Sequence, residues 1–279
     1  MKKHAVLIQT HKPIDYFIEL AKRTPNVNFY VHFDKKCDDS LLTQYENLAN
    51  IVIINHRIDV KWGGFSQVKA TLALFDTAFA NTDNQFFHLI SGEDVVLQDF
   101  DTIEQNWKMQ FNFAMMLTCE LAPRYGYRFR SDTLHADTDW QRQFIGKVLT
   151  KGYQGLAKLS PYQQSVYFGS QWFSVTREDW AKILPFVDEY RQFFERKLVP
   201  DEHFFQTIIK EKLGQEKADL TVANDNKRFI IFDKAVNNGN SPLYLDLPKL
   251  QQAKNDGFWF ARKVDKAVAM GWLENGASS

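Results

Sequence analysis

A mostly parallel β-sheet flanked by helices, an α/β architecture, is predicted for this chain from three features. Apolar runs of strand length recur through its N-terminal third, the segments between them have helical spacing, and polar residues gather where the runs end. Ala5 to Gln9 follows two lysines and enters His11-Lys12-Pro13 rather than a small-residue cleavage site, so it reads as a first strand and not as a signal peptide. Ile14, Phe17, Ile18 and Ala21 form one helical face, and Phe29 to Phe33 is the second strand. Leu41, Leu42, Tyr45 and Leu48 make a second helix before the strand Ile51 to Ile54. Val68, Leu72, Phe75 and Phe79 make a third before the strand Phe86 to Ile90.

Met109 to Thr118 reads as another buried strand. Glu120 to Gly155 loses clear periodicity, gathers Arg124, Tyr125, Tyr127, Arg128 and Arg130, and is expected to be a long loop region. Gly169 to Thr176 is strand-like and Glu178 to Phe194 helical. Pro200 to Glu211 is a helix opened by a proline, whose missing N–H costs nothing in a first turn. Phe229 to Phe232 is a short strand, Asn237 to Pro242 a turn-rich loop, and Leu247 to Gln252 and Val264 to Leu273 are helices. No repeat, low-complexity tract or linker divides residues 1–279, which are read as one domain.

With 279 residues and 44% hydrophobic content the chain can bury a sizeable core. Its 34 basic and 34 acidic residues cancel, so no global field favours nucleic acid, and an anion would have to be met by a local cluster. Two cysteines, Cys37 and Cys119, are too few for a disulfide framework and suit a reducing, cytoplasmic compartment. No stretch approaches the roughly 18 to 20 uninterrupted apolar residues of a membrane span.

Ligands of such sheets bind beyond the carboxyl ends of the strands, which directs attention to His11, Asp34 and Ser91 to Asp94. Asp34 there suits a ribose or uracil contact, and equally a solvated or capping role. Trp62-Gly63-Gly64-Phe65-Ser66-Gln67-Val68 is a glycine turn running into a helix with Ser66 as expected N-cap; it lacks the lysine and spacing of a phosphate loop. Ser91-Gly92-Glu93-Asp94 stands where many nucleotide-sugar transferases keep a metal-binding acidic pair, but adjacent carboxylates on an extended chain point apart. Asp137-Thr138-Asp139 follows no apolar strand and is not read as a metal site. Without a metal, a leaving diphosphate would need cations, and Lys227, Arg228, Arg262 and Lys263 are available; surface charge is the plainer reading. Asp201 and Glu202 sit where acidic residues commonly complement a helix N-terminus, yet a carboxylate fixed there also suits a base.

Seven segments in this order resemble the family-fourteen glycosyltransferases, which include the core-2/I-branching β-1,6-N-acetylglucosaminyltransferases and the protein O-xylosyltransferases. They are Val31-His32-Phe33-Asp34, Trp62 to Val68, Leu89 to Asp94, Gly169-Ser170-Gln171-Trp172-Phe173, Pro200-Asp201-Glu202-His203-Phe204-Phe205, Arg228-Phe229-Ile230 and Phe260-Ala261-Arg262-Lys263-Val264-Asp265. The resemblance implies a GT-A type fold, with a Rossmann-like nucleotide-binding half over residues 1–118 and an acceptor and catalytic half over 119–279. It implies inverting transfer, most often of N-acetylglucosamine, from a UDP-sugar to a glycan or glycolipid acceptor, with no metal and no other cofactor. Glu202 falls on the family's general base and Arg228 and Lys263 on the pair at the diphosphate. His11 and Asp34 fall on nucleotide contacts, and Asp94, Glu120 and Trp172 at the donor or acceptor sugar. The Golgi members' membrane anchor and disulfides are missing from this sequence, so it resembles a compact bacterial member, cytoplasmic and peripheral at the inner face of the cell membrane. No nucleic-acid partner is expected. A metal-dependent transferase using Glu93 and Asp94 with another donor, and a carbohydrate-binding protein without activity, remain the rival readings.

Overall fold

The computed structural model describes residues 3–43, 45, 49–110, 114–116, 118–120, 123–157, 165–213, 222–237 and 241–276. Its strands are β1 (His4–Thr10), β2 (Val27–Phe33), β3 (Ile51–Ile53), β4 (Phe86–Ser91), β5 (Asp94–Val96), β6 (Ala114–Met116), β7 (Thr118–Glu120), β8 (Tyr167–Gly169), β9 (Ser174–Thr176), β10 (Val222–Asn224), β11 (Arg228–Ile230) and β12 (Phe260–Arg262). Seven of them form the central sheet in the order β10-β6-β9-β4-β1-β2-β3. Every pairing in it is parallel except those of β9, which runs against both β4 and β6. The expected α/β, mostly parallel sheet is therefore present. A small sheet β11-β12-β5 and a pair β7-β8 complete the strands described.

The pleat of β1 explains why its run is apolar on both sides. Val6 and Ile8 enter one core with the helices Asp15–Arg23, Phe100–Gln110, Leu247–Asn255 and Lys266–Gly276. Ala5 and Leu7 enter the other with Phe65–Ala80, Arg177–Ile183, Val187–Phe194 and Phe204–Leu213. Phe75 stacks on Trp180 at 3.7 Å between ring centroids, fastening two of these helices to each other over the sheet.

Several boundaries differ from expectation for identifiable reasons. The helix Phe100–Gln110 runs through Met109, and the strand expected there is two short ones, β6 and β7. Pro185 lies in a 3₁₀ turn, Leu184–Phe186, that divides the expected helix 178–194 in two. The proline at 200 opens a 3₁₀ turn, Pro200–Glu202, and the α-helix starts only at Phe204. The region read as a long loop contains 3₁₀ turns and a 14-residue helix, Phe144–Ala157. Gly146, Gly152 and Gly155 lower its helix propensity, and Phe144, Ile145 and Leu156 are exposed, so no core-facing apolar stripe marks it. Of the expected second helix only Ser40–Thr43 is present among the described residues; Leu48 lies outside them, as do Asn238 to Asn240 of the turn-rich loop.

Candidate active site

The parallel register brings Gln9 of β1 level with His32 of β2 and Ser91 of β4, so the chain leaves all three strands at one edge. A cleft of about 400 Å³ opens there. Thr10, His11, Lys12, Asp34, Ser91, Gly92 and Glu93 form one wall, Gln171 and Trp172 another, and Arg262 and Lys263 arrive from the end of β12. Trp62 and Arg142 close the remaining side, the guanidinium lying 5.2 Å over the indole. Thr10 Oγ1 accepts from Lys12 N at 2.9 Å and donates to Lys12 O at 3.0 Å, which turns the chain sharply after β1. Gly92 packs against that turn so closely that a Cβ would collide with Thr10 Oγ1.

Cations dominate the lining. Lys12 Nζ and Lys263 Nζ converge on the Glu93 carboxylate at 2.5 and 3.1 Å, and Tyr244 donates to it at 2.8 Å. Burial pushes the Glu93 carboxyl up, but the bonds from Lys12, Tyr244 and Lys263 overcome it and bring its pKa to about 2. Asp94 points the other way, as expected for adjacent residues. It is buried, accepts from Ser91 N and Oγ at 3.1 and 2.6 Å, and lies 3.7 Å from Arg262 Nε. Burial raises its carboxyl above the ordinary range, with Arg262 opposing. Arg262 in turn stacks over Trp172 at 4.6 Å.

Three glutamines tie the cleft's base together. Gln9 Nε2 donates to Thr71 Oγ1 at 2.6 Å, Gln171 Nε2 to Gln9 Oε1 at 3.0 Å, and Gln67 Oε1 accepts from Gly63 N at 2.5 Å. Sequence reasoning passed over all three as neutral residues, although Gln67 and Gln171 lie inside segments it had singled out.

The expected site residues do not all gather here. His11, Asp34, Trp172 and Lys263 line the cleft, and Asp94 lies just beneath it. Asp34 is held by its own turn, Oδ1 accepting from Lys36 N at 3.0 Å. Arg228 stands apart. It is 4% exposed, donates to Leu89 O, Ser174 Oγ and Asn226 O, and lies 4.6 Å over the Phe260 ring. The diphosphate contact expected of it falls outside the cleft, because its side chain enters the seam between the two sheets instead. Arg262, which pairing sets beside the same strand, is the guanidinium that reaches the lining. The side chain of Glu120, at the end of β7, lies outside the described residues.

Glu202 stands beside the cleft rather than in its wall. Arg128 Nη1 donates to it at 3.0 Å and to His203 Nε2 at 3.0 Å, while His203 Nδ1 donates to Tyr167 O. Burial, with Arg128 nearby, lowers the His203 pKa to about 3, so the ring stays neutral and accepts. Two ties join this turn to the cleft. Val199 N donates to Gly63 O at 2.8 Å, and Gln206 Nε2 donates to Ser170 O and Asp201 O at 2.8 and 3.2 Å. Asp201 is buried, unlike its neighbour, and its Oδ1 has no partner.

Asp137 caps the helix Phe65–Ala80 from outside it. Its Oδ1 accepts from Ser66 N at 3.1 Å and from Ser66 Oγ at 2.5 Å. The N-cap is Gly64, not Ser66 as expected, and Asp139 pairs instead with Lys61 at 2.6 Å. Their spacing as Asp-x-Asp thus has a structural use.

A mostly parallel sheet with a cationic, tryptophan-walled cleft at its carboxyl edge suits a glycosyltransferase, the class to which the family match assigns the chain. The chain belongs to the core-2/I-branching enzyme family, whose model matches residues 5–244. Membership implies a nucleotide-sugar donor and a glycan acceptor. Among solved structures the chain is similar to a Bacillus anthracis protein described as a glucose-1-phosphate thymidylyltransferase, in complex with sucrose. That likeness is 11% identical, covers 91% of this chain and 94% of the other, and has a TM-score of 0.42. It is also similar to the apo form of mouse xyloside xylosyltransferase 1, at 10% identity, 96% and 99% coverage and a TM-score of 0.38. Both are too distant to bear on substrate. No curated protein sequence matches the chain.

Proposed function

We propose that the protein transfers N-acetylglucosamine from a UDP-sugar to a hydroxyl of a surface glycan or glycolipid, with inversion and without a divalent metal, in a bacterial cytoplasm. One observation carries this reading: two ammonium groups, Lys12 and Lys263, already converge at the carboxyl edge of the sheet with Arg262 beside them. A diphosphate entering there can draw both lysines from Glu93 and place its leaving oxygen among fixed cations. His11 and Asp34 face the nucleoside, and Trp172, stiffened by Arg262, offers an apolar face to the sugar ring. The donor is N-acetylglucosamine because the family's branching enzymes transfer it.

In this reading Glu202 takes the acceptor's O–H proton as that oxygen bonds to the anomeric carbon. The bond from the anomeric carbon to the β-phosphate oxygen breaks with its electron pair left on UDP. Arg128 holds the Glu202 carboxylate in place before the acceptor arrives. A metal on Glu93 and Asp94 is less well supported, since each carboxylate already meets its own cations and donors. Among the described residues no group of three or more His, Cys, Asp or Glu is placed to hold one.

The test is UDP release from UDP-N-acetylglucosamine with a glycan acceptor, run in excess chelator. Glu202→Gln is expected to lower turnover by about 10²-fold or more with UDP affinity kept. Near-normal turnover in that variant would overturn the assignment of the base.

A further inference from the structure

The helix Phe144–Ala157 turns its apolar residues outward. Phe144 is 80% exposed, Ile145 54%, Val148 51% and Leu156 63%, and Leu134 and Trp140 are exposed close by in sequence. At about 100° per residue these four helix positions share a sector of about 120°, and Lys147 and Lys151 flank one edge of it. The opposite side is what attaches the helix to the protein. Gly146 packs on the Trp140 backbone, Thr150 Oγ1 pairs with His135 Nε2 at 2.8 Å, and Leu134 N donates to Tyr153 OH at 3.4 Å. Gly152 and Gly155 have open space where a Cβ would be, so packing does not account for them.

Charge selects what this face would meet. From Trp140 to Arg177 the sequence has no Asp or Glu, while Arg142, Lys147 and Lys151 lie in the first part of that stretch. The acidic side chains just before it are engaged elsewhere, Asp139 with Lys61, Asp137 with Ser66 and Asp132 with Lys197. In a chain of net charge zero this is a local concentration of positive charge beside exposed apolar side chains. An apolar face edged by lysines is complementary to an anionic bilayer surface, where the side chains enter the acyl boundary and the ammonium groups stay among headgroup phosphates.

We propose that the face made by Phe144, Ile145, Val148 and Leu156 with Lys147 and Lys151 docks on an anionic lipid bilayer. Arg142, two residues before the helix, lines the cleft, so a bilayer seated on this face lies at the cleft's mouth. If the proposed transferase activity holds, the acceptor is then one presented at the membrane, a lipid-linked glycan.

Vesicle sedimentation tests docking without any substrate, so its outcome is separate from that of the transferase reading. The protein is expected to pellet with vesicles of phosphatidylglycerol and far less with phosphatidylcholine. Lys147→Gln with Lys151→Gln should weaken partitioning into phosphatidylglycerol by about thirtyfold at low salt, and Phe144→Ser with Val148→Ser by about tenfold or more. Neither double variant touches the cleft, and unchanged UDP binding by both serves as the check that they fold. The proposal is overturned if the parent does not pellet with phosphatidylglycerol, or if the variants pellet as well as the parent. Vesicle-free sedimentation in which the parent is a dimer that Phe144→Ser with Val148→Ser dissociates would assign the face to a second copy of the chain, and also overturns it.

Discussion

Replacing Asp201 with Asn should make the protein more stable in mild alkali and leave it nearly unchanged in acid. The Asp201 carboxyl is buried at the start of the Pro200–Glu202 turn, next to the Glu202 carboxylate, and its Oδ1 has no hydrogen-bond partner. Burial first, and then the neighbouring charge of Glu202, lift its pKa from 3.8 to about 7, with Arg128 pulling weakly the other way. The folded protein therefore holds a proton there that the unfolded chain releases near pH 4. That preference corresponds to about 4 kcal/mol in favour of the folded state, fully present below the unfolded pKa and lost as pH rises through about 7. Asn keeps the shape and cannot ionise. Urea unfolding of both proteins at about pH 5 and about pH 8 gives the difference, because groups distant from Asp201 titrate alike in the pair. The variant should gain about 2 to 3 kcal/mol relative to the parent between those conditions, the rest of the loss having occurred below pH 5. A constant difference across that range would refute a buried, proton-holding Asp201.

Three further outcomes follow from contacts already described. Lys263→Ala should weaken UDP binding by about tenfold or more with little change in Tm, whereas Arg228→Ala should lower stability by about 3 kcal/mol or more by emptying a buried hydrogen-bonded site; calorimetric titration with UDP and thermal unfolding separate the two. Asp137→Ala should cost about 1 to 2 kcal/mol by uncapping the helix Phe65–Ala80, and an unchanged Tm would show that the cap contributes nothing.

Strands β1, β2 and β4 were legible because they are buried on both faces, which leaves an unmistakable run such as Ala5-Val6-Leu7-Ile8. Where the chain's logic is not local, the sequence is mute. Ser66 looks like a cap because its side chain could serve, but Asp137, 71 residues on, accepts from both the N–H and the hydroxyl of Ser66. Arg228 and Arg262 are equivalent as letters; only the pairing of β11 with β12 decides that one guanidinium turns into the seam and the other toward the cleft. The helix Phe144–Ala157 was missed for a different reason. Hydrophobic periodicity is read on the assumption that apolar residues face a core, and here several of them face out. Glu202 was singled out by resemblance, and its partner Arg128 was not, since nothing in the spacing links residue 128 to 202.

Three residues from two distant segments meet around the glycine turn: Gly63 O accepts from both Val199 N and Gln141 Nε2, and Gly64 lies so close to Asp137 that a Cβ would overlap its carboxylate. Segment 137–142 is thereby keyed to the turn beside the cleft and to the strap that carries Glu202. Acceptor preference in this enzyme would then be poorly portable. A relative's loop grafted between residues 131 and 157 would arrive without the Asp137 and Gln141 locks, and would loosen the mounting of the proposed base while trying to change only what it acts upon.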